Sequence, residues 1–147
     1  MIKMLLLSAI VFAAGIGIPV MAAINAGLGT RLASPTFATA ILMFVGLVFA
    51  TSYLLVQGVP SFPTRMPPLY SFSGGFFVVF YVLAVTAIAP KIGLGNAIFL
   101  VLLGQIVSTS VIDHFGLLGA VKTPISAQKA LGIAFMTLGI ILARRVV

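Results

Sequence analysis

The sequence has 147 residues, of which 62% are hydrophobic and only 6% are charged, with a net charge of +7 and no cysteine. Because a soluble domain carries about 25% charged residues, this composition excludes a water-soluble protein and predicts an integral membrane protein. The basic residues are scattered without a basic patch or interleaved aromatics, which argues against nucleic-acid binding, and the lack of cysteine excludes disulfides.

Five apolar stretches follow one another along the chain, and each has close to the ~20 residues that cross a ~30 Å hydrocarbon core as a helix. A backbone in lipid must satisfy its own hydrogen bonds, so these stretches are predicted to be helical. The predicted helices span about 4–25, 36–56, 70–89, 94–112 and 124–143. The sequence therefore predicts an all-α polytopic membrane protein, with five transmembrane helices in a single domain over residues 1–147 and no internal repeat.

The first stretch contains Pro19 and ends near Asn25. Pro19 frees a backbone carbonyl and is a candidate hinge, although transmembrane helices also tolerate proline without any such role. Asn25 either faces a cavity or stops the helix before Gly27. The alternative of a cleaved signal peptide is disfavoured because the apolar stretch continues to Ile24, beyond the usual length for such a segment.

The third stretch carries a row of aromatic residues after the paired glycines Gly74 and Gly75, which permit close helix packing. These aromatics are candidates to line a pocket for an apolar or aromatic solute, with plain packing as the alternative; they are Phe76, Phe77, Phe80 and Tyr81. The short connection over residues 90–93 predicts that the third and fourth helices form an antiparallel hairpin.

The fourth stretch is the most polar, and Gln105, Ser108, Thr109 and Asp113 share one helical face. In lipid this face must point at protein or water, so Gln105, Ser108 and Thr109 either line a cavity near the bilayer midplane or form hydrogen bonds between helices.

Asp113 is the only carboxylate in the sequence, and His114 follows it. Together with Pro19 they are the candidates for ion coupling or gating. The alternative is structural: Asp113 would anchor a loop through backbone N–H groups or by pairing with Lys122, and His114 would be a turn or headgroup-level residue.

The fifth helix is predicted to start with Thr123 as N-cap and Pro124 at its first position.

With five crossings, four basic residues fall on each face of the membrane. The N-terminal face, face A, carries Lys3, Arg65, Lys122 and Lys129, and face B carries Arg31, Lys91, Arg144 and Arg145. Orientation normally follows an excess of Lys and Arg on the cytoplasmic side. The even count predicts a chain that inserts in both orientations, and an odd-span module of this kind can form an inverted-repeat transporter from two copies.

Enzyme signatures are missing. No Ser/His/Asp set, metal cluster or phosphate loop can be formed from one Asp, one His and no Glu or Cys, so the sequence predicts neither catalysis nor a cofactor.

Several segments resemble the short five-helix YdcZ-like family of the drug/metabolite transporter superfamily. They are residues 24–29, Pro35, 44–46, 74–75, 90–93, 103–105 and 113–119, and the most specific are Gly104-Gln105 and Asp113-His114-Phe115-Gly116. The resemblance implies a five-helix unit that works as a dual-topology homodimer, an oppositely oriented pair of paralogues or a fused tandem protein. Two units would form a ten-helix transporter with inverted symmetry. The family often has Gln one turn before the Asn of helix one, where this sequence has Met21, so one polar group is missing from the expected cavity.

The small multidrug-resistance proteins are a weaker match, since they carry a carboxylate in the middle of helix one and this sequence has none there. We therefore expect a multi-pass protein of the bacterial inner membrane that transports a small molecule as an antiparallel homodimer by alternating access. The expected cavity is lined by the Asn25 end of helix one, the aromatics of helix three and the polar face of helix four. With no buried carboxylate, a neutral, zwitterionic or anionic cargo is favoured over a cation. The alternative is a non-transporting scaffold or accessory subunit of a larger membrane complex.

Overall fold

A computed structural model describes residues 2–61 and 64–143, and this part of the chain contains helices but no strand. The five long helices are α1 (Ile2–Arg31), α2 (Pro35–Gln57), α3 (Gly74–Ile92), α4 (Leu94–Phe115) and α5 (Ala127–Ala143), with short 3-10 helices at Leu69–Phe72 and Leu117–Gly119. Four spans, with α3 extended back to Leu69, are long and apolar enough to cross a membrane, and α5 is a shorter apolar helix of 17 residues. The prediction of an all-α polytopic membrane protein is confirmed.

The chain divides into two compact units, residues 1–91 and 92–147. The first contains α1, α2 and α3, and the second contains α4 and α5. Arg144 and Arg145, which enter the charge count on face B, lie outside the described residues.

Helix α1 is longer than predicted, because it continues past Asn25 to Arg31. The interpretation of Asn25 as the end of the helix is therefore wrong. The chain turns instead at Ala33, whose φ of 51° is left-handed. Ser34 then caps α2 by accepting a hydrogen bond from the backbone N–H of Phe37 at 3.2 Å, with Pro35 in the first turn.

The core of the first unit consists mainly of small side chains, which allow helices to approach closely in a membrane. Its buried residues are Ala22, Asn25, Ala26 and Gly29 on α1, Ala38 and Thr39 on α2, and Val82, Val85, Thr86 and Ala89 on α3. Residues 2–18 of α1 are all exposed, so this half of the helix presents its surface to lipid or to another chain.

In the second unit, α4 ends at Gly116, whose φ of 65° is a left-handed conformation that glycine adopts without strain. Helix α5 begins at Ala127 rather than at the predicted Pro124. The reason is Ser126: its hydroxyl accepts a hydrogen bond from the backbone N–H of Lys129 at 3.1 Å, and its carbonyl accepts one from Ala130 at 2.9 Å. Ser126 thus performs the capping role that the sequence suggested for Thr123.

Candidate binding site between helices α1 and α3

A buried hydrogen bond joins α1 to α3. The side-chain amide Nδ2 of Asn25 donates to Oγ1 of Thr86 at 2.6 Å, and both residues are only 2% exposed. Gly29, one turn further along α1, lies against the methyl group of Thr86: a Cβ added at Gly29 would be 2.9 Å from Cγ2 of Thr86. Asn25 is therefore engaged between two helices through this hydrogen bond, and its role in lining a cavity stays a prediction.

On the N-terminal side of Asn25 along α1, helices α1 and α3 form a narrow crevice. It is lined by Met21 and Ala22 from α1 and by Tyr81, Val82, Val85 and Thr86 from α3. The hydroxyl of Tyr81 is buried and has no hydrogen-bond partner within the part of the chain that the structure describes. The crevice has no space for a water molecule. The Tyr81 hydroxyl is thus a polar group inside a mainly apolar, tightly packed crevice.

The other aromatic residues of α3 do not join Tyr81 in this crevice. Phe76, Phe77 and Phe80 are all more than 60% exposed, and the rings of Phe76 and Phe77 contact each other edge to face with centroids 5.5 Å apart. Their proposed role in lining a pocket stays a prediction.

The polar side chains of α4 are exposed at Gln105, Ser108 and Thr109. The hydroxyl of Thr109 donates to the carbonyl oxygens of Gln105 at 2.6 Å and Ile106 at 3.2 Å, so it satisfies itself on its own helix. The contribution of these three residues to a cavity likewise stays a prediction.

Asp113 and His114 hold the connection between α4 and α5. Oδ2 of Asp113 pairs with Nζ of Lys129 at 3.1 Å, and the carbonyl of Asp113 accepts from the N–H of Thr123 at 2.8 Å. Nδ1 of His114 accepts from the N–H of Ile125 at 3.1 Å. The predicted pairing of Asp113 with Lys122 is wrong, because the first turn of α5 places Lys129 next to the carboxylate instead.

These contacts give Asp113 and His114 a clear structural function at the α4–α5 connection. Asp113 and His114 are also the only carboxylate and imidazole side chains in the sequence, and no group of three metal-ligating side chains is found among residues 2–61 and 64–143. Their proposed role in coupling or gating stays a prediction.

Comparison with protein families identifies the chain. The model of the family described as "Putative inner membrane exporter, YdcZ" matches residues 6–142. The chain belongs to this YdcZ exporter family. The match confirms the resemblance seen in the sequence and, with the apolar helices, a multi-pass location in the inner membrane. No curated protein and no solved structure matched the chain.

In this member of the YdcZ family, Pro19 lies inside an uninterrupted α1 and is partly buried. Its role as a hinge stays a prediction. Thr86 was not predicted, although it is the only hydroxyl residue of α3 apart from Tyr81. A hydroxyl within an apolar helix signals a partner on another helix. The identity of that partner depends on helix packing, which the sequence does not give.

Proposed function

We propose that this chain exports a small molecule as one half of an antiparallel, dual-topology homodimer. Two oppositely inserted copies would form a ten-helix unit with inverted symmetry, a site near the bilayer midplane and alternating access. Membership of the YdcZ exporter family supports export across the inner membrane. The antiparallel pairing rests on one observation, the division of the basic residues into four on each face.

The even count depends on α5 crossing the membrane. At 17 residues, α5 is about 25 Å long and meets the lower limit for a spanning helix. The ion pair between Asp113 and Lys129 joins the last turns of α4 to the first turn of α5. If α4 spans the membrane, this pair starts α5 at the level where α4 ends, and the apolar remainder of α5 then leads back across.

The crevice between α1 and α3 is at a suitable depth for a transport site. The span that contains α3 runs from Leu69 to Ile92, and Tyr81 lies at its centre. A binding site near the middle of the bilayer is what alternating access requires, since both sides must reach it in turn.

The proposal is tested by fusing a C-terminal reporter that is active outside the inner membrane, such as alkaline phosphatase, or one that is active inside, such as green fluorescent protein. We expect activity from both fusions of the wild-type chain. Arg31→Gln leaves an excess of one basic residue on face A, and Arg65→Gln leaves an equal excess on face B. Under the positive-inside rule these matched variants shift the ratio of the two reporters in opposite directions, Arg31→Gln toward an external C-terminus.

A wild-type chain with one reporter silent, and with that ratio unmoved by either variant, would contradict dual topology. It would favour a scaffold of fixed orientation or a pair formed with an oppositely oriented paralogue.

A further inference from the structure

The hydroxyl of Tyr81 is a buried polar group that has no partner among the residues that the structure describes. A buried hydroxyl that forms no hydrogen bond carries a free-energy cost, and the crevice is too narrow for water to serve as partner. Phenylalanine would fill the same volume without this cost. An unsatisfied hydroxyl at the centre of a membrane span therefore calls for an explanation in function rather than in packing.

The walls of the crevice indicate what could satisfy the hydroxyl. None of the six residues that line it is charged, and Met21, Ala22, Val82 and Val85 are apolar. A charged ligand would lose its hydration there without gaining a counter-ion. A neutral, mainly apolar molecule would lose little, provided that it carries one group that can hydrogen-bond to Tyr81.

Met21 is the wall residue best suited to give way. Its side chain is unbranched and flexible, so it fills irregular space and can adopt other rotamers at low cost. The hydrogen bond between Asn25 and Thr86 lies one helical turn away from Met21 and holds α1 and α3 together beside the crevice. The crevice can thus open at Met21 while the end next to the hydrogen bond between Asn25 and Thr86 stays fixed.

We propose that Tyr81 is a specificity-determining residue, whose hydroxyl donates a hydrogen bond to a neutral, mainly apolar solute that enters the α1–α3 crevice by displacing Met21. This names the substrate class of the exporter and, for its transport role, rests on the function proposed above. Binding itself requires neither dual topology nor transport, so the two proposals fail separately.

The test is a thermal-shift titration of the full chain in detergent with two probes of similar shape. Benzophenone has a carbonyl acceptor, and diphenylmethane has a methylene group in its place. Ligands that bind the folded state raise its melting temperature. We expect both probes to stabilise the wild type, and Tyr81→Phe to weaken benzophenone binding by about fivefold while leaving diphenylmethane binding unchanged.

Two further variants separate recognition from packing. Tyr70→Phe removes the hydroxyl of an exposed tyrosine and should change neither affinity, which controls for effects in the detergent micelle. Met21→Gln places an amide of similar length in the crevice. That amide is expected to form a hydrogen bond with the Tyr81 hydroxyl and thereby to reduce benzophenone binding.

Without ligand, Tyr81→Phe should melt at or above the wild-type temperature, since it removes an unsatisfied group. A lower melting temperature would show that the hydroxyl stabilises the fold and would overturn the proposal. Equal benzophenone affinity in wild type and Tyr81→Phe, or no stabilisation of the wild type by either probe, would overturn it as well.

Discussion

Replacing Gly29 by alanine tests the packing of α1 against its two neighbours. The new Cβ would be 2.9 Å from Cγ2 of Thr86, 3.3 Å from Cα of Pro35 and 3.7 Å from Cβ of Ala38. Backbone at Pro35 cannot move locally, and Thr86 cannot rotate its methyl away without disturbing the hydroxyl that accepts from Asn25. The substitution must therefore separate the helices or break a buried hydrogen bond.

Two costs and one gain determine the expected loss of stability. Overpacking costs about 1–3 kcal/mol, and loss of a hydrogen bond between membrane helices adds about 0.6 kcal/mol. Alanine returns up to about 1 kcal/mol through its better helix propensity. We expect Gly29→Ala to lower the free energy of unfolding by roughly 0.6–2.6 kcal/mol, which is the sum of the two costs less the gain in helix propensity. The measurement is far-ultraviolet circular dichroism during denaturation in mixed micelles.

Two controls make this result specific. Gly27 lies on the same helix, and a Cβ added there would have no atom within 4 Å, so Gly27→Ala should be neutral or stabilising. Thr86→Ser removes the obstructing methyl group and keeps the hydroxyl. Gly29→Ala should therefore cost less in the Thr86→Ser background than in the wild type, with the remaining loss caused by the contact of the new Cβ with Cα of Pro35 at 3.3 Å. If Gly29→Ala were as stable as Gly27→Ala, the described contact between α1 and α3 would be incorrect.

Three further outcomes are expected from the same unfolding assay. A double-mutant cycle of Asn25→Ala and Thr86→Val should give a coupling energy of about 0.6–1.7 kcal/mol; additive effects would argue against their hydrogen bond. Exchanging Asp113 for Asn or Lys129 for Met should cost at most about 1 kcal/mol, because the pair is more than one-third exposed on each side. This loss should shrink at high salt, and a loss that is independent of salt would point to packing instead. Ala33→Gly should stabilise the chain by roughly 0.5–1 kcal/mol, because Ala33 has a φ of 51°; a destabilised variant would contradict the left-handed turn.

Local chemistry made much of the fold predictable. Runs of apolar residues near bilayer length indicated the five helices, and Pro35 marked the start of α2 within one residue of its observed position. The errors occurred at helix ends, where more than one nearby residue could cap or end the helix. A helix stop was one of two interpretations of Asn25, yet α1 continues to Arg31 and the Asn25 side chain donates to Thr86 on α3. Ser126 caps α5 where the sequence suggested Thr123.

The candidate site was less predictable, because a site consists of contacts between helices. Tyr81 was predicted only as one of four aromatic residues that could line a pocket, and its separation from the neighbouring phenylalanines depends on the rotation of α3 against α1. Lys129 has the pattern of an interfacial anchor, and only the path of the α4–α5 connection brings it to Asp113. Sequence patterns identify polar and charged residues that are unfavourable in lipid, while helix packing determines which of them contact each other.

Insertion in both orientations is the central claim, and cysteine labelling tests it most directly because the chain has no cysteine of its own. Single cysteines can be placed at two exposed positions beyond the opposite ends of α2, as Leu32→Cys and Ser61→Cys. A membrane-impermeant maleimide is then applied to intact spheroplasts and again after lysis. If α2 spans the membrane and the chain inserts both ways, each position is labelled in about half of the molecules before lysis. Complete labelling at one position and none at the other would contradict the claim.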